Sequence, residues 1–199
     1  MKRRLVVMLK EPRPGRVKTR LGRDIGMVSA AWWFRHQTRR LIHRLQDPRW
    51  QMILAVSPDR EGLASCVWPG HLMRMPQGRG DLGDRMARAL RLPGHGPVCI
   101  IGADIPGIEK AHVATAFAAL GSADAVFGPA PDGGYWLIGA KRLKAVPPQL
   151  FAGVRWSTEH ALADTVASWP AARVAYVDTL RDVDEIGDLR MTAPGARAT

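Results

Sequence analysis

Residues 98–106, VCIIGADIP, constrain the fold of this chain more than any other stretch. Val98, Cys99, Ile100 and Ile101 run without a break into Gly102, Ala103, Asp104 and, one residue on, Pro106. A short apolar run bounded by turn residues reads as a buried strand covered on both faces, which is the situation of a parallel strand in an α/β sheet. In open α/β sheets ligands bind beyond the carboxyl ends of such strands. Asp104 is therefore expected at the mouth of a site. A carboxylate there can hold a hard cation such as Mg²⁺ or Mn²⁺, which in turn can neutralise the phosphates of a nucleotide. The nonapeptide alone leaves open a plainer role, in which Asp104 caps the turn or helix that follows.

Similar apolar runs recur along the chain and predict further strands at residues 5–9 (LVVML), 51–57 (QMILAVS), 71–75 (HLMRM), 123–130 (ADAVFGPA), 135–140 (YWLIGA) and 173–178. Between them lie helical patterns. Over residues 28–45, Ala31, Phe34, Thr38, Leu41, Ile42 and Leu45 fall on one side at about 100° per residue, so that side is expected to pack on the sheet. The same projection turns Trp33 outward with Arg40 and Arg44, as a candidate surface for a partner or for self-association. Helices are also predicted from Asp81 onward, over 109–120, and over 153–169 with Ser157 or Thr158 as cap. Strands alternating with helices predict an α/β fold. With 199 residues and 46% hydrophobic content the chain suits one well-packed domain, 1–191, and a disordered tail, 192–199.

No apolar run approaches the roughly 20 residues that span a bilayer, and the run at 5–9 is broken by Lys10, too short for a signal peptide. A cytoplasmic protein is expected. Cys66 and Cys99, the two cysteines, support neither a disulfide framework nor a zinc site.

The net charge of +11 is informative once it is located. Residues 1–44 carry 13 of the 29 Lys and Arg, against Glu11 and Asp24 alone of the 18 acids, so the whole excess sits in this first part. An anionic partner near the N-terminus follows, whether nucleic acid, an anionic surface or the phosphates of a small ligand. The loop EPRPGRVKTRL after the first strand is the natural receiver. Pro12 and Pro14 extend it, Gly15 lets the backbone turn close to a ligand, and Arg16, Lys18 and Arg20 supply charge. It lacks both the Walker spacing and the dinucleotide fingerprint, and a solvated basic loop would use the same letters.

Two glycine-rich stretches read in two ways each. In QGRGDLGDRMARAL, Gly78 and Gly80 could admit a base or ribose with Gln77 and Asp81, or simply form a tight loop with Asp81 as helix cap. In PDGGY, residues 131–135, the Asp-Gly-Gly marks a hairpin, while Gly133 and Gly134 could offer backbone contacts and Asp132 a second carboxylate. Trp156 could cover a ligand or pack as a staple. Glu159 and His160 have acid/base chemistry, although a first-turn Glu also suits the helix dipole and an isolated His is commonly structural.

Six segments taken together, LKEPRPGRVKTRL, QGRGDLGDRMARAL, IGADIPGI, GPAPDGGYWLIG, RWST and LRDVDEIGDL, resemble a known family. The chain is similar to the bacterial glycosyltransferase-like proteins of arsenosugar-biosynthesis type, within the nucleotide-diphospho-sugar transferase superfamily. The resemblance covers Leu9 to Leu189 in the family's order. It implies a GT-A fold, a Rossmann-like, mostly parallel mixed sheet flanked by helices, with the nucleotide over the carboxyl ends of the N-terminal strands. It implies a nucleotide loop of Pro14, Gly15, Lys18 and Arg20 with Lys10 nearby, and Gln77, Gly78 and Asp81 on the base or ribose side. Asp104 matches the metal-binding acid, but Ile105 and Pro106 stand where many superfamily members complete an Asp-x-Asp. Help for Asp104 is expected from Asp132 or Asp184, the latter in DVDEIGDL, where Glu185 and Ile186 replace the usual Thr and Pro.

The reaction implied is metal-assisted glycosyl transfer from a nucleotide-diphospho-sugar to a small acceptor. Asp104 would hold Mg²⁺ or Mn²⁺, and Asp132 would serve as base or second ligand. Gly133, Gly134, Tyr135, Trp156 and Glu159 would line the substrate side. The alternative is nucleotidyl transfer, as in superfamily members resembling guanylyltransferases, where a phosphorylated acceptor attacks a nucleoside triphosphate and pyrophosphate leaves. A non-enzymatic RNA or polyanion binder is the third class. It is disfavoured because the basic segment lacks interleaved aromatic platforms and any nucleic-acid motif.

Overall fold

A computed structural model describes residues 1–143, 145–183 and 187. Seven strands form one sheet in the order β3-β2-β1-β4-β6-β5-β7. They are β1 (Arg4–Lys10), β2 (Gln51–Ser57), β3 (Met73–Pro76), β4 (Val98–Gly102), β5 (Ala125–Pro129), β6 (Tyr135–Ala140) and β7 (Val174–Tyr176). β4, the strand at the head of Asp104, lies at the centre. All pairings are parallel except those of β6, which runs against both β4 and β5. This is the mostly parallel, mixed Rossmann-like sheet expected.

The continuous apolar runs are explained by cover on both faces. Leu5, Val7 and Leu9 of β1 point to one side, where Phe34, Leu41, Ile42 and Leu45 of α2 (Met27–Leu45) and Val113, Ala116 and Phe117 of α5 (Lys110–Ala119) pack on them. Val6 and, from β2, Ile53 and Ala55 point to the other, against Met86, Ala87, Ala89 and Leu90 of α4 (Leu82–Leu90). Every residue assigned to the inner side of α2 is buried. Cys99, in the middle of β4, is fully buried, and that burial pushes its thiol well above the ordinary range, while Cys66 is exposed.

On the site side, the segment after β4 is tied from several directions. The Thr38 hydroxyl donates to the Ala103 carbonyl at 3.4 Å and Arg44 to the Pro106 carbonyl at 2.6 Å, so α2 grips the segment after β4. Val183 N–H donates to the Asp104 carbonyl at 3.2 Å, bringing the C-terminal segment to the same place. Ile105 is buried in the core.

Four readings change. Two short helices, α1 (Thr19–Ile25) and α3 (Asp59–Ala64), occupy stretches read as loop and turn. α1 has no side-chain cap, and its N-cap Lys18 sits in the left-handed region (φ 46°), so the usual start signal is missing. The helix predicted over 153–169 is only α6 (Ala161–Ala167) with His160 as N-cap. Left-handed residues at Phe151, Gly153 and Ser157 break the chain into turns ahead of it. Finally, Trp33 is half-buried against the core, and the exposed aromatic of α2 is Trp32, which stacks on His36 at 4.8 Å. No described helix is long and apolar enough to cross a membrane. The tail 192–199 lies outside the described residues.

Candidate active site

A cleft of about 940 Å³ opens over the carboxyl ends of β1 and β4. β1 delivers Lys10 to its rim, and the loop that follows brings Arg16, Lys18 and Arg20. β4 delivers Asp104 opposite them. The two meet directly: Lys18 Nζ lies 2.8 Å from Asp104 Oδ2, with the lysine side chain only 6% exposed and the aspartate 34%. A charged hydrogen bond at this distance between a buried ammonium and a half-buried carboxylate is short and well defined. The lysine expected to bind phosphate and the acid expected to hold a metal are thus in direct contact.

The far wall comes from the β5–β6 hairpin, the α4 N-terminus and the turns before α6. Asp132, Gly134, Tyr135, Trp156, Glu159 and Asp81 all line the cleft. Asp132 Oδ1 accepts from Gly134 N–H at 3.0 Å, an Asx turn that fixes its carboxylate at the hairpin tip. Trp156 packs on Phe151 with ring centroids 5.8 Å apart and is half-buried, one face on the core and the rest toward the cleft. Arg155 holds the base of this segment through a two-pronged bond to Asp164. Its guanidinium keeps that carboxyl at about 2, well below the usual carboxylate range.

Several of the residues expected on the ligand side also hold the fold together, and Gln77, Asp81 and Tyr135 do so while lining the cleft. Gln77 is 4% exposed, and its Nε2 donates to the Leu9 carbonyl at 3.1 Å and the Ala55 carbonyl at 2.9 Å, so it clamps the ends of β1 and β2. Gly78 does not line the cleft. Its N–H donates to Asp59 Oδ1 at 3.1 Å, and its left-handed turn leaves room only for the Arg88 side chain. Asp81 caps α4, accepting from Asp84 N–H at 2.8 Å in a reciprocal capping box. The Tyr135 hydroxyl faces Met86 Sδ and Thr165 Oγ1, and burial raises its pKa. Pro14 and Gly15 lie off the cleft, Gly15 in an exposed turn.

Gly133 also stays outside the cleft, yet it shapes it. A Cβ at this left-handed position (φ 82°) would overlap the Glu159 carbonyl, and its own carbonyl accepts from Leu162 N–H at 3.0 Å. The glycine lets the hairpin tip dock against the Glu159 backbone. Gly133→Ala is therefore expected to cost about 1–3 kcal/mol of stability and to displace the 156–160 turns. Thermal denaturation would register the first effect and amide hydrogen exchange over residues 156–160 the second; unchanged results in both would refute the docking role.

Residues that the sequence reading left out of the site include Arg85, Ser157, Thr158 and Asp182. Asp182 could have been found, since it stands in the acidic DVDEIGDL segment beside Asp184. Asp184 itself lies outside the described residues. Among the described residues no group of three or more His, Cys, Asp or Glu side chains could enclose an ion. Asp104 with substrate phosphates and water is nonetheless a fitting donor set for Mg²⁺ or Mn²⁺, which commonly take one or two carboxylates alongside phosphates.

The model of the family described as uncharacterised and conserved in bacteria, DUF2064, matches residues 41–158. This chain belongs to the DUF2064 family. The matched span includes Gln77, Asp104, Asp132 and Trp156 of the cleft. A crystal structure from Desulfovibrio desulfuricans G20, provisionally named a nucleotide-diphospho-sugar transferase, superposes with a TM-score of 0.86 at 30% identity. The alignment spans 96% of this DUF2064 chain and 86% of the other. At the level of fold alone, a 4-diphosphocytidyl-2C-methyl-D-erythritol synthase from Anaerococcus prevotii matches with a TM-score of 0.59 at 10% identity, covering 96% and 95% of the two chains. Rv0371c from Mycobacterium tuberculosis, crystallised with manganese, matches with a TM-score of 0.53 at 16% identity, covering 96% and 97%. No curated protein matches the DUF2064 chain in sequence.

Proposed function

We propose that this DUF2064 protein transfers a group from a nucleotide-activated donor, most naturally a sugar from a nucleotide-diphospho-sugar, in a reaction assisted by Mg²⁺ or Mn²⁺. The observation that carries the reading is the convergence of Asp104 with the basic segment from Lys10 to Arg20 over the carboxyl ends of β1 and β4. That is where an α/β sheet binds its ligand, and the residues there suit a diphosphate. The neighbour from Desulfovibrio desulfuricans supports the same substrate class, and the sequence resemblance to glycosyltransferases of arsenosugar-biosynthesis type supports a glycosyl donor.

Within this reading Lys10, Arg16, Lys18 and Arg20 neutralise the phosphates and orient the donor. Asp104 holds the divalent ion, which when bound stabilises charge developing on the departing nucleotide. Trp156 and Glu159 form the far wall, where an aromatic face and an exposed carboxylate suit a polyhydroxylated sugar or acceptor. Asp132, held by its Asx turn, is the base for the acceptor hydroxyl or a further ligand. Nucleotidyl transfer is the second reading, favoured by the four cations on one wall, which accommodate a triphosphate equally well.

A thermal-shift panel of nucleotide sugars and nucleoside triphosphates, each with and without Mn²⁺ or Mg²⁺, tests both. A ligand at 100 times its dissociation constant stabilises by about 2.7 kcal/mol. The stabilising donor is then incubated with candidate acceptors. Release of a nucleoside diphosphate supports glycosyl transfer, and release of pyrophosphate supports the second reading. Absence of any nucleotide-dependent shift would overturn both.

A further inference from the structure

The contact between Lys18 and Asp104 bears on the order in which ligands enter the cleft. The Lys18 side chain is almost wholly buried, and its ammonium reaches Asp104 Oδ2 at 2.8 Å. The backbone commits the side chain to this place. Val17 is buried, Lys18 is left-handed (φ 46°, ψ 48°) as α1 begins, and the α1 peptide chain closes behind it through Gly22 N–H to the Lys18 carbonyl at 2.8 Å. Asp104 is equally fixed through its own carbonyl and those of Ala103 and Pro106, each of which accepts a bond from another part of the chain. Both partners of the ion pair are therefore set by the fold and not by chance collision of two surface side chains.

An ammonium in contact with a carboxylate oxygen does electrostatically what a bound cation would do there. A divalent ion approaching Asp104 meets a carboxylate already neutralised and a positive charge at close range. A buried ammonium, in turn, is costly to strip of its anion unless another anion is offered. The phosphates of a nucleotide are such an anion, and the cleft brings them to the same wall.

We propose that Lys18 is a built-in counter-cation that excludes the divalent ion from Asp104 until nucleotide phosphates draw the lysine away, so that nucleotide and metal enter together. This rests on the reading of Asp104 as metal-holding acid and of Lys18 as phosphate-binding residue. Phosphates that themselves ligate an ion would couple the two bindings in any case; what the ion pair adds is suppression of metal binding in the nucleotide-free protein.

The test measures Mn²⁺ binding by the electron paramagnetic resonance signal of the free ion, first without nucleotide and then with saturating UDP, CDP or GDP. Wild type should bind Mn²⁺ weakly without nucleotide. Lys18→Met should bind it at least about tenfold more tightly under the same conditions, and the added nucleoside diphosphate should improve its affinity by a correspondingly smaller factor. Lys18→Gln, which keeps a polar end without the charge, serves as the second variant and should behave likewise. Within each protein, wild type or variant, reciprocity requires that Mn²⁺ tighten the nucleotide by the factor by which the nucleotide tightens Mn²⁺, so the smaller factor in the variants is checked from both sides. Equal nucleotide-free Mn²⁺ affinities in wild type and both variants would overturn the counter-cation role while leaving the metal site standing. Mn²⁺ binding that is unaffected by Asp104→Asn in the wild-type and Lys18→Met backgrounds would overturn the metal site and this inference together. Wild type that binds Mn²⁺ as tightly without nucleotide as with it would also overturn the inference, and needs no variant.

Discussion

Replacing Asp104 by Asn is expected to remove the metal-dependent part of nucleotide binding and to slow transfer about 10³-fold, while the protein still folds. The size follows from the several kcal/mol that a divalent ion contributes by stabilising charge on a departing phosphate, each 1.36 kcal/mol being about tenfold in rate. Retention of the fold follows from where Asp104 is attached. The bonds that hold this segment run to the backbone carbonyls of Ala103, Asp104 and Pro106, and Asn preserves all three. The carboxylate contributes to the cleft and not to the core. Asn also keeps an oxygen acceptor for Lys18 in place of the carboxylate oxygen now at 2.8 Å, so the ammonium loses its counter-charge there but keeps a hydrogen-bond partner. The thermal-shift response to nucleotide with and without Mn²⁺ checks the first effect, and turnover of the donor identified in the panel checks the second. A variant that keeps its full metal-dependent shift would remove Asp104 from the site.

What made Asp104 legible was the hydrophobic run before it. Such a run can be written only where both faces of a strand are covered, and β4 is the central strand between the α2/α5 layer and the α4 layer. The same logic recovers β1, β2 and β6 with nearly their observed limits, and the 3.6-residue period recovers the inner face of α2. The failures share a different cause. α1 begins on a left-handed lysine, and α6 is preceded by left-handed Phe151 and Ser157, residue types that rarely adopt that region and give no local signal of it. Trp33 packs half-buried against the core, a placement that the helical projection of α2 alone does not show.

The site separates along the same line. Charged side chains that a loop carries to the sheet's carboxyl end were identifiable by position, because Lys10, Arg16, Lys18 and Arg20 directly follow the first strand, and all four line the cleft. Polar residues near glycines were not, since a tight turn and a ligand contact use the same letters. Gly78 and Gly133 each adopt a positive φ and each make room for a neighbouring part of the protein, Arg88 in one case and the Glu159 backbone in the other. Their contribution to the cleft is to hold its walls.

Gln77 shows the distinction most sharply, and Gln77→Leu is expected to destabilise the protein by about 2–4 kcal/mol even in the absence of ligand. Leucine fills much of the same volume, so cavity formation contributes little. The cost comes from the Leu9 and Ala55 carbonyls, which lose buried donors now at 3.1 and 2.9 Å, each loss amounting to about 1–3 kcal/mol and tempered by the second lone pair of a carbonyl. Because Leu9 directly precedes Lys10 at the end of β1, loosening this clamp also releases the anchor of the basic loop. Nucleotide affinity should then fall secondarily, and it should recover in part under conditions that stabilise the fold, such as added osmolyte. A residue that touched the base directly would behave otherwise, with weakened nucleotide binding and an unchanged thermal midpoint. Chemical denaturation of the ligand-free variant, set beside its nucleotide affinity with and without osmolyte, separates the two roles, and an unaltered unfolding free energy would return Gln77 to the list of ligand contacts.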